Sequence, residues 1–528
     1  MKTRYRWVLA VVVAVALAAV GFYAAVGPRS PRGEGAPAAP QVEAWLTDEA
    51  PSEPLALVGA APSKGELRSA VAGANVIICL LDEARSDHFG CYGYARPTTP
   101  NVDKLAPDSI VFTQHFCPIA FTRTSTTSLL TSQYPDTHSV FRRQQLSPSA
   151  FTLESALADA GWSTAFFTAN VWASPACGVG EDFGFIWTNA SGQAERLGPG
   201  LSDMQDAFEK PELMLQQVSQ WLKTEPRQPF FAYLHFRHPH KPYDAPADMQ
   251  GLFAGAEPPG LKKGEGRYPP RQTTVGAEPD DSPPWEVVNQ YDANLRYADW
   301  AVGELERILR EQGVFDNTLL MITSDHGVPL GERENSNRQW CVYEEAVRIP
   351  LVIKFPGESG PAGSVGALTE TIDLLPTILD LFDIPYPRVR VQGQSLLDLL
   401  TGSRTAVRDY AFARTEELPR KNPANRLKSP ERYLVRGLRW ALILPQGDTD
   451  RELYDLKTDP GQTRNVAAEH PGQTEKMMLA FRAFAATQTR APLDFVDPKY
   501  TPPVRPEAPS VEMTEEARKQ LRALGYVE

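Results

Sequence analysis

The chain contains short, unbroken apolar runs that end abruptly in polar or charged residues. Runs of this kind, bounded by polar positions, are typical of strands that are buried on both faces in a parallel sheet. The four clearest runs are residues 76–81, 162–168, 230–236 and 319–323. The pattern therefore predicts four buried strands spread over about half of the chain.

Helical patterns alternate with these runs. Apolar residues recur at intervals of three and four between Tyr291 and Leu309, which indicates one helix face that ends at Gly313. Residues 152–160 and 373–381 predict two shorter helices. Alternating helices and apolar strands predict an α/β fold, with a mostly parallel sheet flanked by helices on both faces.

The polar residues that follow the strands are the first sign of function. Asp82 and Glu83 follow one run, Asp325 follows another, and His240 lies shortly after a third. Because open α/β sheets bind ligands at the carboxyl ends of their strands, these side chains are expected to converge. A hydroxyl-rich stretch that begins at Thr122 predicts a helix N-terminus, which attracts anions.

The N-terminus predicts export. Lys2, Arg4 and Arg6 precede an uncharged segment long enough to span a bilayer, so residues 1–26 are predicted to be a signal anchor or transmembrane helix. Residues 27–70 are rich in Pro, Ala and Gly and predict a flexible linker. The remainder is expected outside the cytoplasm and membrane-anchored, or secreted if the leader is cleaved.

Composition narrows the classes of protein. The 528-residue chain has a formal charge of −12, which argues against nucleic acid as a partner. Its five cysteines are too few for a disulfide scaffold, and none forms a Cys-x-x-Cys zinc motif. The pattern divides the sequence into a main domain at residues 71–405 and a C-terminal part at 406–528, the latter with short strand candidates and a tail helix.

Several motifs together resemble the sulfatase family of the alkaline phosphatase superfamily. The motifs, in order, are LLDEARSDHFGCYGY, LLTSQYP, HPHKPY, SDHGVPLGE, YEEAVRIPLVI and ELYDLKTDPGQTRNVA. Their order and spacing extend the resemblance from about residue 74 to the end. It implies an alkaline-phosphatase-like α/β fold with a small C-terminal α+β subdomain.

The resemblance also implies a metal site. It assigns Asp82, Glu83, Asp325 and His326 to one divalent ion, with Thr122 touching the same ion. Carboxylates suit Ca²⁺, whereas an imidazole shifts the preference toward transition ions such as Mn²⁺. The expected cofactor is therefore a single Ca²⁺ or Mn²⁺ ion.

Thr122 falls at the position of the family's nucleophile, where relatives carry a Cys or Ser that is oxidised to formylglycine. Threonine cannot form that aldehyde, and Thr124 and Thr126 replace the Pro and Arg of the usual signature. A threonine hydroxyl activated by a metal ion can still attack an ester directly. The resemblance thus makes Thr122 the predicted nucleophile, with Ser125 as the alternative if the alignment slips.

The resemblance and the charge pattern suggest further site residues. His240 matches the family's active-site histidine and is a predicted general acid for the leaving oxygen. Four more residues are predicted substrate contacts, from their charge and position: His238, Lys241, Arg123 and Arg338.

Three functions remain open at this point. The first is a metal-dependent hydrolase of sulfate or phosphate esters, acting on a sulfated or phosphorylated glycan, lipid or small molecule. The second is a phosphoglycerol- or phosphoethanolamine-type transferase acting on envelope glycans or lipids. The third is an inactive protein of the same fold that binds anionic glycans. A threonine ester lacks the elimination route of a formylglycine ester, so the chemistry favours phosphoryl transfer over sulfuryl transfer.

Overall fold

A mixed sheet of nine strands forms the centre of the computed structural model, which describes residues 55–140, 146–175, 178–188, 210–259, 285–332, 341–357, 360–415, 432–445 and 451–488. Its strands are β1 (Leu55–Leu57), β2 (Asn75–Leu81), β3 (Ile110–Phe112), β5 (Ser163–Thr168), β6 (Phe185–Thr188), β7 (Phe230–Phe236), β8 (Thr318–Thr323), β9 (Leu351–Lys354) and β10 (Gly363–Val365). They lie in the order β1-β10-β3-β9-β8-β2-β7-β5-β6.

The centre of this sheet is parallel. Strands β8, β2, β7, β5 and β6 pair in parallel, whereas β9 is antiparallel to both β8 and β3, and β1 is antiparallel to β10. The sheet is therefore mixed, although seven of its nine strands share one direction. The four apolar runs of the sequence are all central strands, and their predicted limits are correct to within one residue.

Helices flank the sheet. They are α1 (Lys64–Ala70), α2 (Pro100–Leu105), α3 (Thr122–Thr131), α4 (Pro135–His138), α5 (Leu153–Asp159), α6 (Pro211–Leu222), α7 (Ala247–Gly251), α8 (Glu286–Glu311), α9 (Glu344–Val347), α10 (Leu374–Leu381), α11 (Leu397–Leu400) and α12 (Pro471–Thr487). The predicted helices at 152–160, 291–309 and 373–381 correspond to α5, α8 and α10.

Burial on both faces explains why the central strands are continuously apolar. Val76, Ile78 and Leu80 of β2 pack in a core with residues of α1, α5 and α10. The alternate residues, Ile77 and Cys79, pack on the opposite face with residues of α6 and α8. Because side chains alternate along a strand, both halves of the pattern must be apolar.

The C-terminal part contains an antiparallel sheet of four strands in sequence order. These strands are β12 (Ala411–Arg414), β13 (Arg432–Arg436), β14 (Trp440–Pro445) and β15 (Glu452–Asp455). Met477 and Met478 of α12 pack in the same apolar cluster as Val435 and Leu442. A small parallel pair, β4 (His115–Phe116) and β11 (Thr369–Glu370), completes the described strands.

The predicted linker is wrong for residues 55–70. Strand β1 pairs with β10 in the main sheet, and Leu67 of α1 is buried in the core. A capping box begins this helix, since the Ser63 hydroxyl accepts from the Glu66 N–H and the Glu66 carboxylate accepts from the Ser63 N–H. The surrounding Pro- and Ala-rich composition favours a linker, whereas the capping box favours a helix.

Three predictions fall on residues outside the described ranges: the anchor at 1–26, the tail helix near the C-terminus and the role of Arg338. Among the described helices, none combines the length and apolar character that crossing a bilayer requires.

Candidate active site

Two adjacent strands bring Asp82 and Asp325 together. Parallel strands β2 and β8 pair Leu80 with Thr323, so the carboxylates that follow, two residues further along each strand, emerge side by side. The backbone N–H of Glu83 donates to Asp325 Oδ1 at 3.2 Å. Glu83 itself has a φ of 63°, a left-handed conformation that turns the chain sharply where β2 ends.

A third side chain joins the two carboxylates. One ligand atom each from Asp82, Asp325 and His235 lie within 4.8 Å of one another, and all three residues are buried. Asp82 Oδ1 and Asp325 Oδ2 have no hydrogen-bond partner among the described residues. Two buried carboxylates with open oxygens are costly unless a cation neutralises them, so this donor set fits a divalent ion.

The pKa values of Asp82 and Asp325 are shifted in opposite directions. Burial alone would raise the pKa of Asp82, but the neighbouring imidazoles of His240, His235 and His326 hold that pKa well below its usual range. Burial and the neighbouring Asp82 charge raise the pKa of Asp325. His326 and His235 lower the pKa of Asp325 as well, but burial and Asp82 outweigh them, and a bound cation would favour its ionised form.

Thr122 lies beside this cluster. It is the first residue of α3, whose N-cap is Phe121, so the Thr122 hydroxyl is not engaged in capping the helix. Its Oγ1 lies 3.3 Å from His326 Nε2. His326 Nδ1 donates to the Gly327 carbonyl at 2.8 Å, which leaves Nε2 as a hydrogen-bond acceptor for the hydroxyl. A reactive hydroxyl beside a basic nitrogen is an arrangement suited to nucleophilic attack.

His326 and Glu83 border the three-residue cluster without belonging to it. His326 Nε2 lies 3.5 Å from Asp325 Oδ2, and Glu83 Oε1 lies 3.6 Å from His240 Nε2. Among the described residues, neither appears in a group of three donors that all lie within 4.8 Å of one another. Their predicted role as ligands stays a prediction.

Ser125 makes a different contact. Its hydroxyl donates to the backbone carbonyl of Asp325 at 2.7 Å and so ties α3 to the end of β8. Of the two hydroxyls considered from the sequence, Thr122 is therefore the one directed toward a histidine.

His240 lies in the loop after β7. Its side chain is 19% exposed, whereas those of Asp82 and Asp325 are fully buried. Its Nδ1 lies 2.5 Å from the Lys241 carbonyl oxygen. His240 is thus the most accessible of the site's charged groups, where an entering ester would meet it.

The predicted substrate contacts are dispersed. His238 is buried, with Nε2 2.9 Å from Asp244 Oδ1 and its ring 4.8 Å from that of Tyr297. This engagement favours a structural role, and His238 stays outside the site proposed below. Arg123 is buried in the first turn of α3, and Lys241 is exposed. Their predicted contacts with substrate remain predictions.

Sequence analysis missed His235. It lies inside the apolar run of β7, whereas the predicted site residues follow the ends of the strands. The available signal was its burial, because an imidazole in a strand enclosed on both faces needs a polar partner.

Asn170, just after the end of β5, was also missed by the sequence analysis. Its amide Nδ2 donates to Asp82 Oδ2, and its Oδ1 accepts from the Trp172 N–H at 2.8 Å. The second bond fixes the orientation of the amide, so Asn170 holds the Asp82 carboxylate in place and leaves Oδ1 of Asp82 open.

Comparison with known proteins identifies the family. The model of the Sulfatase family matches residues 74–384, more than half of the chain, and the model named N-sulphoglucosamine sulphohydrolase, C-terminal, matches residues 331–484. An N-acetylglucosamine-6-O-sulfatase from Bacteroides thetaiotaomicron is 23% identical and aligns over 80% of this chain and 88% of its own. Human arylsulfatase A is 24% identical over 77% of this chain and 86% of its own.

Solved structures share the fold of this chain. A phosphonate monoester hydrolase from Silicibacter pomeroyi superposes with a TM-score of 0.67 at 22% identity, covering 80% of this chain and 97% of that one. The architecture is therefore the alkaline-phosphatase-like fold of sulfatases, a mixed sheet flanked by helices. With its geometry, motifs and family match in agreement, the chain belongs to the sulfatase family and is a hydrolase of sulfuric or phosphoric esters.

Proposed function

We propose that the protein is a metal-dependent ester hydrolase that uses Thr122 as its nucleophile. The observation that carries this proposal is the position of the Thr122 hydroxyl, 3.3 Å from His326 Nε2 and next to the buried pair Asp82 and Asp325. A helix N-terminus at the same point favours an anionic substrate, since its free N–H groups and dipole attract negative charge.

Asp82 and Asp325 would hold the divalent ion, with the open oxygens Oδ1 and Oδ2 turned to it. When bound, the ion supplies positive charge that lowers the pKa of a neighbouring hydroxyl and neutralises the anionic ester. Asn170 orients Asp82 through its amide, and Ser125 fixes the end of β8 beside it.

The reaction follows in two displacements. Thr122 Oγ1 forms a bond to the phosphorus or sulfur of the ester while the bond to the leaving oxygen breaks. The hydroxyl proton passes to His326 Nε2, and His240, at the accessible edge, donates a proton to the leaving oxygen. Water then attacks the same phosphorus or sulfur and passes a proton to His240, while the bond to Thr122 Oγ1 breaks and His326 returns its proton to that oxygen.

The side chain at position 122 favours phosphate or phosphonate esters over sulfate esters. A threonine ester carries no second hydroxyl on its carbon and cannot collapse to an aldehyde, so it must be cleared by attack at phosphorus or sulfur. The likeness to a phosphonate monoester hydrolase supports this preference, and the names of the curated relatives support a glycan as the carrier of the ester.

The test compares Thr122→Ala with Thr122→Ser on aryl phosphate, aryl phosphonate and aryl sulfate substrates. Thr122→Ala is expected to lower kcat by at least about a thousandfold, as loss of a nucleophile does. Thr122→Ser keeps a hydroxyl and should retain measurable turnover. Ser125→Ala is the matched control and should affect kcat less. Unchanged turnover in Thr122→Ala would contradict the proposal.

A further inference from the structure

We propose that His235 is itself a ligand of the ion held by Asp82 and Asp325, and that its imidazole makes the site prefer a first-row transition metal to Ca²⁺. This inference rests on the metal site of the proposed function and specifies its chemistry. It adds a nitrogen donor from inside β7 to the two carboxylates of Asp82 and Asp325.

The distance between His235 and Asp82 is the first argument. His235 Nε2 lies 3.4 Å from Asp82 Oδ2, beyond the usual range of an N–H···O hydrogen bond. Two donors that bind one ion at about 2.1 Å with a tetrahedral angle lie about 3.4 Å apart. Asn170 already binds Oδ2, so this spacing places the two side chains close enough to share an ion that Asp82 would bind through its open oxygen Oδ1.

The second argument is that His235 Nε2 has no other use. It has no hydrogen-bond partner among the described residues, and the whole side chain is buried. Asp82 Oδ1 and Asp325 Oδ2 are open in the same way. Each of the three buried side chains has an atom without a partner, and each offers a ligand atom within 4.8 Å of the other two, so one cation between them would account for all three.

The third argument is the orientation of the ring. His235 Nδ1 lies 3.4 Å from the hydroxyl of Tyr233, two residues earlier on the same face of β7. The Tyr233 ring is fully buried and stacks on Phe166, with centroids 5.2 Å apart. A polar neighbour on one ring nitrogen leaves the other free to face a metal, as is usual for histidine ligands.

The nitrogen donor decides the choice of metal. Ca²⁺ is bound by oxygen ligands, whereas an imidazole with carboxylates suits Zn²⁺, Fe²⁺ or Mn²⁺. A set of two carboxylates and one histidine therefore favours these ions, and it leaves further positions open for substrate oxygens and the Thr122 hydroxyl.

The experiment uses the full chain, depleted of metal and loaded with Mn²⁺, because electron spin echo envelope modulation of Mn²⁺ detects a directly bound nitrogen. The wild type is expected to show coupling to an imidazole ¹⁴N. His235→Asn should lose this coupling, whereas His326→Asn should keep it. His470→Asn, at an exposed histidine near Trp440, is the matched control and should leave the spectrum unchanged.

A titration with separate ions adds a second readout. His235→Asn is expected to lower the affinity for Mn²⁺ or Zn²⁺ by about tenfold or more while changing the affinity for Ca²⁺ less. Equal losses for both kinds of ion would overturn the claim about selectivity.

The remaining outcomes separate this inference from the proposed function. A wild-type spectrum without nitrogen coupling overturns the inference even if His235→Asn fails to fold, and it leaves an all-oxygen metal site and Thr122 intact. Coupling that survives in His235→Asn and disappears in His326→Asn also overturns it. A wild type that binds no divalent ion contradicts both the inference and the proposed function. Unchanged turnover in Thr122→Ala, together with nitrogen coupling in the wild type, contradicts only the proposed function.

Discussion

Two pairs of buried carboxylates in this protein are built in opposite ways. Glu370 and Asp373 form one pair, and every carboxylate oxygen in it has a partner. Arg408 contacts both residues, the Tyr134 hydroxyl donates to Glu370 Oε2 at 2.6 Å, and backbone N–H groups supply the rest. Asp82 and Asp325 form the other pair, and each keeps an oxygen with no hydrogen-bond partner among the described residues.

The difference separates a pair that the chain itself neutralises from a pair that fits a bound cation. Carboxylates that serve the fold are closed by a protein cation, since an unpaired buried charge is costly. The pair at the ends of β2 and β8 has histidines near it but no arginine or lysine among its described contacts. The divalent ion proposed above would supply the positive charge that this pair lacks.

The largest expected effect comes from removing Arg408, the cation that neutralises Glu370 and Asp373. Arg408→Met leaves Glu370 and Asp373 without their cation and is expected to lower the free energy of unfolding by about 3–5 kcal/mol. Urea denaturation of the purified full chain measures the change. Arg388→Met removes an exposed ion pair with Asp380 and serves as the control, with an expected change of about 0–1 kcal/mol. Equal effects of the two variants would refute the distinction.

A smaller effect is expected from removing the ion proposed to bind Asp82 and Asp325. Removing an ion present at about a hundred times its Kd should lower the apparent free energy of unfolding by about 2.7 kcal/mol. Thermal denaturation with and without a chelator measures this difference. Asp82→Asn with Asp325→Asn should abolish the response, whereas Arg388→Met should retain it. A chelator effect that persists in the double variant would place the ion elsewhere.

Per pH unit, the smallest effect concerns His115, a buried neighbour of Arg408. Burial, and then the charge of Arg408, lower its pKa from 6.5 to about 3. Because the unfolded chain takes up this proton first, the free energy of unfolding should fall as the pH drops from 6.5 toward 3. One such group gives a slope of at most about 1.4 kcal/mol per pH unit.

His115→Asn tests this slope through urea denaturation across the same range of pH. The variant should show a shallower loss of stability in acid than the wild type. An identical slope in both proteins would mean that His115 does not titrate on unfolding.

Much of the fold followed from the sequence. The central strands were visible because burial on both faces leaves uninterrupted apolar runs, and α8 because its apolar face repeats over many turns. Strands β3 and β10 lie beyond the antiparallel β9 and have only three residues each, too few for a pattern to show.

The site was visible in part for a related reason. Asp82, Asp325 and Thr122 stand at the ends of predicted elements, so the chain order itself indicates their convergence. His235 lies inside β7, and Asn170 acts through the amide orientation that Trp172 fixes. Such contacts depend on strand register and loop geometry, which a single sequence does not specify.

The central claim is that Asp82 and Asp325 hold a divalent ion beside Thr122, and metal content measures it most directly. Elemental analysis after exhaustive dialysis of the full chain should find a single transition-metal ion per wild-type molecule. Asp82→Asn and Asp325→Asn should each lose it, whereas Thr122→Ala and Arg388→Met should keep it. Undiminished metal content in both aspartate variants would contradict the account.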